Sequence, residues 1–339
     1  MNKVIITGGS GFIGTNLVNF LLSKKLQVIN IDKQGYSSNK YKKIKNKNYK
    51  FYKTDINNKK KIIKILLKYK PKAIFNLAAE THVDRSIDGP KNFITSNILG
   101  VFNLLEALRH IKKKNIQTKL IHVSTDEVYG DIKNNKRSNE SFPYKPSSPY
   151  SASKASADHL IQAYIKTYKL KAVISKCCNN YGPYQFPEKL IPKIIFNILN
   201  NKSLPVYARG LNIREWIFVS DHCDALYKLY LKGKSGESYN VGSNINLKNL
   251  DLVRKILKIC KKQKIIIGKK SKITFVKDRP GHDFRYAIDC TKIKRQLKWK
   301  EITKIDEGLY KTIQWYYKNQ KFFKINSSKI FNKRLGLNL

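Results

Sequence analysis

The chain has 339 residues, 41% of them hydrophobic, enough to bury a large core, and the default expectation is a folded enzyme. No window approaches the run of ~18 apolar residues that spans a bilayer, so no membrane partner is expected. The 68 Lys and Arg against 23 Asp and Glu give a formal net charge of +45, but the lysines are scattered and accompany many Asn and Ile residues. Those three residue types share A/T-rich codons, so base composition rather than a specific nucleic-acid partner explains the charge, although a basic surface still attracts anionic metabolites. Cys177, Cys178, Cys223, Cys260 and Cys290 are an odd number without a CxxC pair or a neighbouring His cluster, which argues against a disulfide framework and against a metal site. The first strand follows at once from the first residue, with no charged leader, apolar stretch and cleavage site, and a cytoplasmic location is expected.

Val4 to Thr7 reads as a buried strand running into Gly8, Gly9, Gly11 and Gly14, followed by an apolar periodic stretch from Phe12 to Leu22. A second strand, Gln27 to Ile31, ends at Asp32, and the polar stretch Lys33 to Asn48 reads as a loop. A third strand around Tyr49 to Lys53 ends at Asp55. Helical periodicity over Asn57 to Tyr69 is broken by Pro71, and Ala73 to Ala78 gives a fourth strand. A helix from Thr95 to Lys113, a strand from Leu120 to Ser124, a helix beginning at Pro149 and a strand from Lys171 to Cys178 continue the alternation. The fold class is α/β: a doubly wound, Rossmann-like parallel sheet with a smaller α/β substrate-binding lobe. We expect residues 1–180 to form the sheet domain, with 216–243 returning to it as one more helix and strand. Residues 181–215 and 244–325 form the substrate lobe, its start packed with prolines, and 326–339 form a tail that frays.

Gly8, Gly11 and Gly14 at a strand-to-helix turn allow close approach of a pyrophosphate, which the helix N-terminus attracts. Asp32 at the tip of the second strand can accept hydrogen bonds from a ribose diol and would repel a 2′-phosphate, which favours NAD over NADP; Lys33 beside it opposes that preference. Asp55 suits either the adenine amino group or a helix cap. Ser148-Pro149 is a helix start, and Tyr150 and Lys154 four residues apart share one helix face. A cation beside the phenol, with the positive nicotinamide, would lower its pKa and make it a base for a sugar hydroxyl. Thr125-Asp126-Glu127 follows a strand at the ligand edge of the sheet. Two adjacent carboxyls in a cleft can be driven apart in pKa to give one acid and one base, and a threonine hydroxyl can hold a developing enolate.

Long segments resemble the extended short-chain dehydrogenase/reductase superfamily and, within it, the dTDP-glucose 4,6-dehydratases: TGGSGFIG at 7–14, NLAAETHVDRSIDGP at 76–90, HVSTDEVYG at 122–130, YSASK at 150–154, NNYGPYQFPEKLIP at 179–192 and DRPGHD at 278–283. The resemblance implies that Tyr150, helped by Lys154 and Thr125, is the base for oxidation at carbon 4. It makes Asp126 the acid at the hydroxyl of carbon 6 and Glu127 the base at carbon 5, with the product a 4-keto-6-deoxy sugar nucleotide. NAD contacts are expected from Gly8, Gly11, Phe12, Ile13, Gly14, Asp32, Lys33, Asp55, Ile56, Leu77, Ala78, Ala79, Glu80, Ser96, Tyr150, Lys154 and Asn180. Contacts to a nucleoside diphosphate sugar are expected from Thr81, Thr125, Asn179, Lys189, Leu190, Pro205, Val206, Tyr207, Arg214, Asn249, Asp278, Arg279, Pro280, Gly281 and His282. Guanidinium forks at Arg214 and Arg279 match phosphate oxygens. His82, His122 and His282 read as supporting or core residues. A homodimer is expected through the helices after Thr95 and Pro149.

This sequence departs from the family pattern at Lys176 and Cys178, where Arg and Ser are expected, at Ala208-Arg209 for Gly-Asp, at Ile245-Asn246 for Asn-Glu, and at Phe284 for Arg; KQGYSS after Asp32 also differs. None removes a catalytic group, and they leave dTDP-glucose and UDP-glucose both open as substrates. An epimerase or decarboxylase of the same fold needs the Tyr and Lys but not the acid–base pair. A non-catalytic nucleotide- or nucleic-acid-binding protein would show steep salt dependence and no turnover. A cysteine enzyme built on Cys177-Cys178 lacks a sequence-linked base.

Overall fold

The computed structural model describes residues 2–39, 44–133 and 136–326. The chain begins β1 (Lys3–Thr7), α1 (Phe12–Ser23), β2 (Gln27–Asp32), β3 (Tyr49–Lys53), α2 (Lys59–Tyr69) and β4 (Ala73–Asn76). Two short helices, α3 (Val83–Asp88) and α4 (Lys91–Phe93), lead through a π-helical stretch (Ile94–Leu99) into α5 (Gly100–Lys112). Then come β5 (Lys119–Thr125), a 3₁₀ turn (Asp126–Tyr129), α6 (Pro149–Tyr168), β6 (Ala172–Cys177) and β7 (Asn179–Tyr181). The remainder is α7 (Leu190–Leu199), β8 (Leu204–Tyr207), β9 (Ile213–Phe218), α8 (Val219–Lys232), β10 (Ser238–Val241), β11 (Asn246–Lys248), α9 (Asn249–Lys262), β12 (Ile273–Val276), α10 (Thr291–Leu297), α11 (Ile305–Lys318) and α12 (Lys321–Asn326).

Seven parallel strands form one sheet in the order β10-β6-β5-β4-β1-β2-β3. Burial on both faces explains why these strands read as Val/Ile runs rather than as alternating patterns. One face is covered by α1, α8 and α10 through Leu17, Leu226 and Ile293, the other by α2, α5 and α6 through Ile62, Leu104 and Ile161. Strand order reverses between β1 and β4, and the crevice beyond the carboxyl ends at such a switch point is where a ligand fits. A further apolar cluster joins α7, α9 and α11 to β8 and β9 through Ile194, Ile256 and Ile313, and the pairs β11-β9-β7 and β12-β8 line its edge. Phe322 and Phe323 of α12 are buried in it. The fraying expected of the tail concerns residues that, beyond 326, lie outside the described ones.

Three local expectations need correction. β4 stops at Asn76, because the amide of Leu77 bonds to the carbonyl of Thr7 and turns the chain toward the glycine loop. The helix expected from Thr95 begins earlier, at Lys91, and is interrupted by a widened π turn; such turns displace side chains from α-helical register. Here Asn97 donates to the Glu80 carbonyl (3.0 Å) and to Ser153 Oγ (2.9 Å) and accepts from the Glu80 amide (2.9 Å), tying the chain after β4 to α6. The cap of α2 is Asn58, which accepts from the Lys61 amide at 3.0 Å, and not Asp55.

Candidate active site

The turn after β1 is built for close approach. Gly8 has φ +75°, and a Cβ there would lie 2.6 Å from the amide nitrogen of Ala78; a Cβ on Gly14 would lie 2.1 Å from the Gly8 carbonyl oxygen. α1 starts at Gly11 without a side-chain cap, so its first amides point outward uncommitted, as an anion site requires. Asp32, at the end of β2, accepts from the amides of Ser10 (2.9 Å) and Gln34 (2.6 Å), which fixes the carboxylate beside the glycine turn. Lys33 Nζ lies 3.5 Å from Glu80, 3.9 Å from Asp55 and 3.3 Å from Ser96 Oγ, gathering four of the expected cofactor residues into one cluster. This cradle fits NAD: only glycine at 8 and 14 lets the turn pack this tightly on the backbone of Ala78 and of the turn itself, which leaves the uncapped amides of α1 open to a pyrophosphate.

β5 delivers Thr125 as its last residue, and the 3₁₀ turn presents Asp126 and Glu127 directly after it. Thr125 Oγ1 accepts from the Glu127 amide and lies 3.3 Å from Asp126 Oδ1, and it also shares a hydrogen bond with Tyr150. Asp126 is 2% exposed and its Oδ2 has no partner among the described residues. Burial, with the Glu127 and Glu215 carboxylates nearby, pushes its pKa well above the usual carboxylate range, which favours the protonated form an acid needs. Glu127 is only partly buried and lines the cleft. The two carboxyls therefore sit in different environments, as an acid–base pair needs.

Ser148 caps α6 reciprocally with Ser151, and Pro149 occupies the first turn. That fixes Tyr150 and Lys154 one turn apart, both buried, and excludes a surface Tyr with a solvated Lys. The expected lowering of the phenol pKa is not present in the protein alone: burial and the Glu127 carboxylate push Tyr150 up, and the Thr125 hydrogen bond opposes them. Lys154 Nζ instead donates to the Val123 carbonyl at 2.7 Å and lies 3.4 Å from His122 Nε2. Burial brings its pKa down to about 8.

Toward the smaller cluster, Arg214 is buried and, among the described residues, donates only to carbonyls, those of Ile213, Asp283 and Phe284, with its guanidinium 4.2 Å from the Tyr286 ring. Arg279 pairs with Asp84 at 2.9 Å, and Tyr207 donates to the same carboxylate at 2.6 Å. Arg279 is thus matched by one carboxylate while Arg214 meets only carbonyl oxygens, which leaves positive charge there for a diphosphate. His282 Nδ1 is 2.6 Å from Asp278, and burial brings the pKa of His282 down to about 4 and that of His82 to about 3. Lys189 Nζ donates to the Thr81 carbonyl at 2.7 Å, and Asn180 Oδ1 is held by His222 at 2.8 Å.

One cavity of about 670 Å³ runs from the glycine turn past Tyr150, Lys154, Thr125 and Glu127 to Arg214, Arg279 and His282. It brings Gly8, Gly11, Phe12, Ile13, Gly14, Leu77, Ala79 and Asn180 together with Thr81, Asn179, Lys189, Leu190, Pro205, Val206, Tyr207 and Asn249. Asp32, Lys33, Asp55, Ile56, Ala78, Glu80, Ser96, Asp126, Asp278, Pro280 and Gly281 do not line it. Of these, Asp126 lies beneath Thr125, and Lys33, Asp55, Glu80 and Ser96 gather in the cluster described above.

The family model for GDP-mannose 4,6 dehydratase matches residues 5–312. The chain belongs to that dehydratase family. Among its relatives, a probable dTDP-glucose 4,6-dehydratase of Sinorhizobium fredii is 44% identical, with 99% of each chain covered. The dTDP-glucose 4,6-dehydratase of Streptomyces venezuelae, solved with NAD bound, superposes with a TM-score of 0.89 at 36% identity, covering 96% of this chain and 100% of that one. The enzyme of that name from Bacillus anthracis, in complex with NAD, gives 0.86 at 39% identity, covering 96% and 100%. In this member of the dehydratase family, the cavity also takes Ser37, Asp84, Ser124 and Glu188, which sequence reasoning did not assign to a site, and Cys177, which it had considered only as a nucleophile. Asp84 and Glu188 were the most findable, lying inside quoted segments, three residues beyond Thr81 and directly before Lys189; Ser37 is brought in by loop packing that has no local signal. Cys177 is a buried thiol whose pKa burial raises to about 12, so the nucleophilic cysteine reading fails on physical grounds. Among the described residues no group of His, Cys, Asp and Glu is arranged to hold a metal, and no helix is long and apolar enough to cross a membrane.

Proposed function

We propose that this chain is an NAD-dependent dTDP-glucose 4,6-dehydratase that converts dTDP-glucose to the 4-keto-6-deoxy sugar nucleotide. The observation that carries the reading is the junction of Thr125, Asp126 and Glu127 with Tyr150 in one cleft: an epimerase needs the phenol and lysine but has no use for a buried acid beside a partly exposed base. NAD, when bound in the glycine cradle, supplies an oxidant at carbon 4 and the reductant that finishes carbon 6. Tyr150 takes the proton of the carbon 4 hydroxyl, Lys154 supports the phenolate, and Thr125 holds the carbonyl oxygen that results. The ketone makes the proton on carbon 5 acidic enough for Glu127 to remove, and Asp126 protonates the hydroxyl leaving carbon 6 as water. Glu127 then returns its proton to carbon 5. Each turnover leaves Tyr150 protonated and Asp126 deprotonated, and the Thr125 hydroxyl, in contact with both, spans the distance between them.

Arg214 and Arg279 would take the diphosphate and Tyr207 the base side of the nucleotide. The division into a cofactor domain (1–180 with 216–243) and a substrate lobe (181–215 and 244–325) belongs to the same proposal. So do a cytoplasmic location, in keeping with five buried free cysteines, and a homodimer. Support for the dimer comes from exposed Ile94, Leu99 and Phe102, which leave an apolar stripe along the π turn and α5 beside α6. Phe102→Glu should then shift the protein to monomer size in sedimentation.

The deciding experiment incubates the purified protein with dTDP-glucose and, separately, UDP-glucose and follows the alkaline absorbance of a 4-keto product. Product from the thymidine nucleotide that disappears in Tyr150→Phe supports the reading. Faster conversion of UDP-glucose would reassign the base preference, and epimers without keto sugar would overturn the roles of Asp126 and Glu127.

A further inference from the structure

One helical turn beyond Lys154, on the same face of α6, lies Asp158, 1% exposed. Its Oδ2 accepts from Ser124 Oγ at 2.8 Å and from Tyr144 OH at 2.9 Å. Its Oδ1 has no hydrogen-bond partner among the described residues but faces His122 Nε2 at 3.7 Å. The state of that imidazole follows from its other nitrogen. Thr7 Oγ1 donates to Asn76 Oδ1 at 2.6 Å, which turns the Asn76 amide nitrogen toward His122 Nδ1 at 2.9 Å. Nδ1 therefore accepts, and the ring proton sits on Nε2, aimed between Asp158 Oδ1 and Lys154 Nζ, 3.4 Å away. A proton on Asp158 Oδ1 would meet another proton there, so the arrangement favours the carboxylate.

A second buried lysine stands on the other side. Lys176, on β6, is 2% exposed; its Nζ lies 4.9 Å from the ring centres of Tyr129 and Tyr144 and 3.3 Å from Ser238 Oγ. Asp158 and Lys176 line a separate cavity of about 460 Å³ with Glu140, Tyr144 and His159. One carboxylate thus sits between two buried ammonium groups, one belonging to the catalytic site. A buried cation without a counter-charge gives up its proton.

We propose that Asp158 is the positioning residue of the catalytic lysine, its charge holding the Lys154 ammonium protonated across the edge of His122 while the Val123 carbonyl fixes it, with Lys176 keeping Asp158 ionised from behind. The inference rests on the dehydratase reading above. The groups facing Lys154 are His122 and the Val123 carbonyl on β5, Tyr150 and Asp158 on α6, and Cys177 on β6. Those facing Asp158 are His122, Ser124, Tyr144, Lys154 and Lys176, with Glu140 and His159 beyond. Burial pulls Lys154 down and Asp158 opposes it; burial also raises Asp158 on balance, with Lys154 and Lys176 opposing, and it is the Nε2–H of His122 facing Oδ1 and the two hydroxyls donating to Oδ2 that favour its carboxylate. Activity that needs a charged Lys154 is lost as pH rises through its pKa. Without the Asp158 charge that loss begins at lower pH.

The test is kcat and KM for dTDP-glucose between pH 6 and 9 in the native enzyme, Asp158→Asn and Lys176→Met, with thermal midpoints for each. In Asp158→Asn the alkaline limb of kcat should move down by about one pH unit, so that the deficit is roughly fivefold at pH 8, approaches about tenfold at pH 9 and vanishes toward pH 6, with KM little changed. Lys176→Met should move the limb the same way by less, and Lys176→Arg should restore it. An alkaline limb that stays in place in both variants, whether kcat is normal or lowered equally at every pH, overturns the proposal. If Asp158→Asn does not fold, Lys176→Met decides alone. Native enzyme that makes no keto sugar fails the functional reading instead, a separate result.

Discussion

Replacing Asp126 by Asn separates the two carboxyls and tests both their roles and their protonation states. The amide matches the carboxyl in volume, and the buried group it replaces is held neutral by burial and by two nearby carboxylates, so no charge is removed from the folded protein. An amide has no proton for the departing hydroxyl. Losing a general acid costs about 10²- to 10⁴-fold in kcat, or roughly 3 to 5 kcal/mol of barrier. Oxidation at carbon 4 and proton abstraction by Glu127 remain. In D2O the variant should therefore return dTDP-glucose carrying deuterium at carbon 5, seen by proton NMR, while forming almost no keto sugar; Glu127→Gln should do neither. Stability should move the opposite way. A carboxyl whose folded pKa is raised contributes most below its unfolded pKa, and that contribution is lost as pH rises through the folded value. Asp126→Asn should thus melt at or above the native temperature at pH 8, with the gain vanishing toward pH 4. Asp126→Asn that makes keto sugar at near-native rates, or that fails to exchange carbon 5 while binding substrate normally, would refute the assignment.

Gly14→Ala puts a Cβ 2.1 Å from the Gly8 carbonyl oxygen and 2.7 Å from the Gly9 Cα, so backbone must move; NAD titration should show affinity at least about tenfold weaker, roughly 1.4 kcal/mol. Ala208 has φ +47° where the family pattern has glycine, and Ala208→Gly should raise the denaturant midpoint, by about 1 kcal/mol of stability. Ser148→Ala removes the acceptor of the Ser151 amide and half of a reciprocal cap; it should cost about 1 kcal/mol in urea unfolding and lower kcat further by loosening the turn that seats Tyr150.

What the sequence revealed followed from how local each signal is. The β1 turn is specified by residues within ten positions of one another, and the glycines, Asp32 and the uncapped start of α1 appear where spacing puts them. The Ser148-Pro149 start and the Tyr150–Lys154 spacing are local in the same sense. The π turn is not: nothing in Ile94 to Leu99 distinguishes it from an ordinary helix, and its cause is the demand of Asn97 for Glu80 and Ser153, 17 and 56 residues away. The low phenol pKa was expected from an assumed cation at the hydroxyl, but the structure spends the lysine on the Val123 carbonyl.

The same distinction explains why the catalytic face was readable and its support was not. The groups proposed to meet substrate lie at strand ends and first turns, where motif spacing and geometry coincide. The groups that set their charge, such as Asp158, His122 and Lys176, meet only after two neighbouring strands and one helix have packed, and each alone reads as an ordinary core or helix residue. Burial is what makes them matter: a carboxylate 3.7 Å from an imidazole at the surface would be screened by water, whereas at 1% exposure the same pair can decide whether a lysine keeps its proton. Sites of this kind are found by following each buried charge to its counter-charge, because a fold that buries an ammonium group must also bury what keeps it charged.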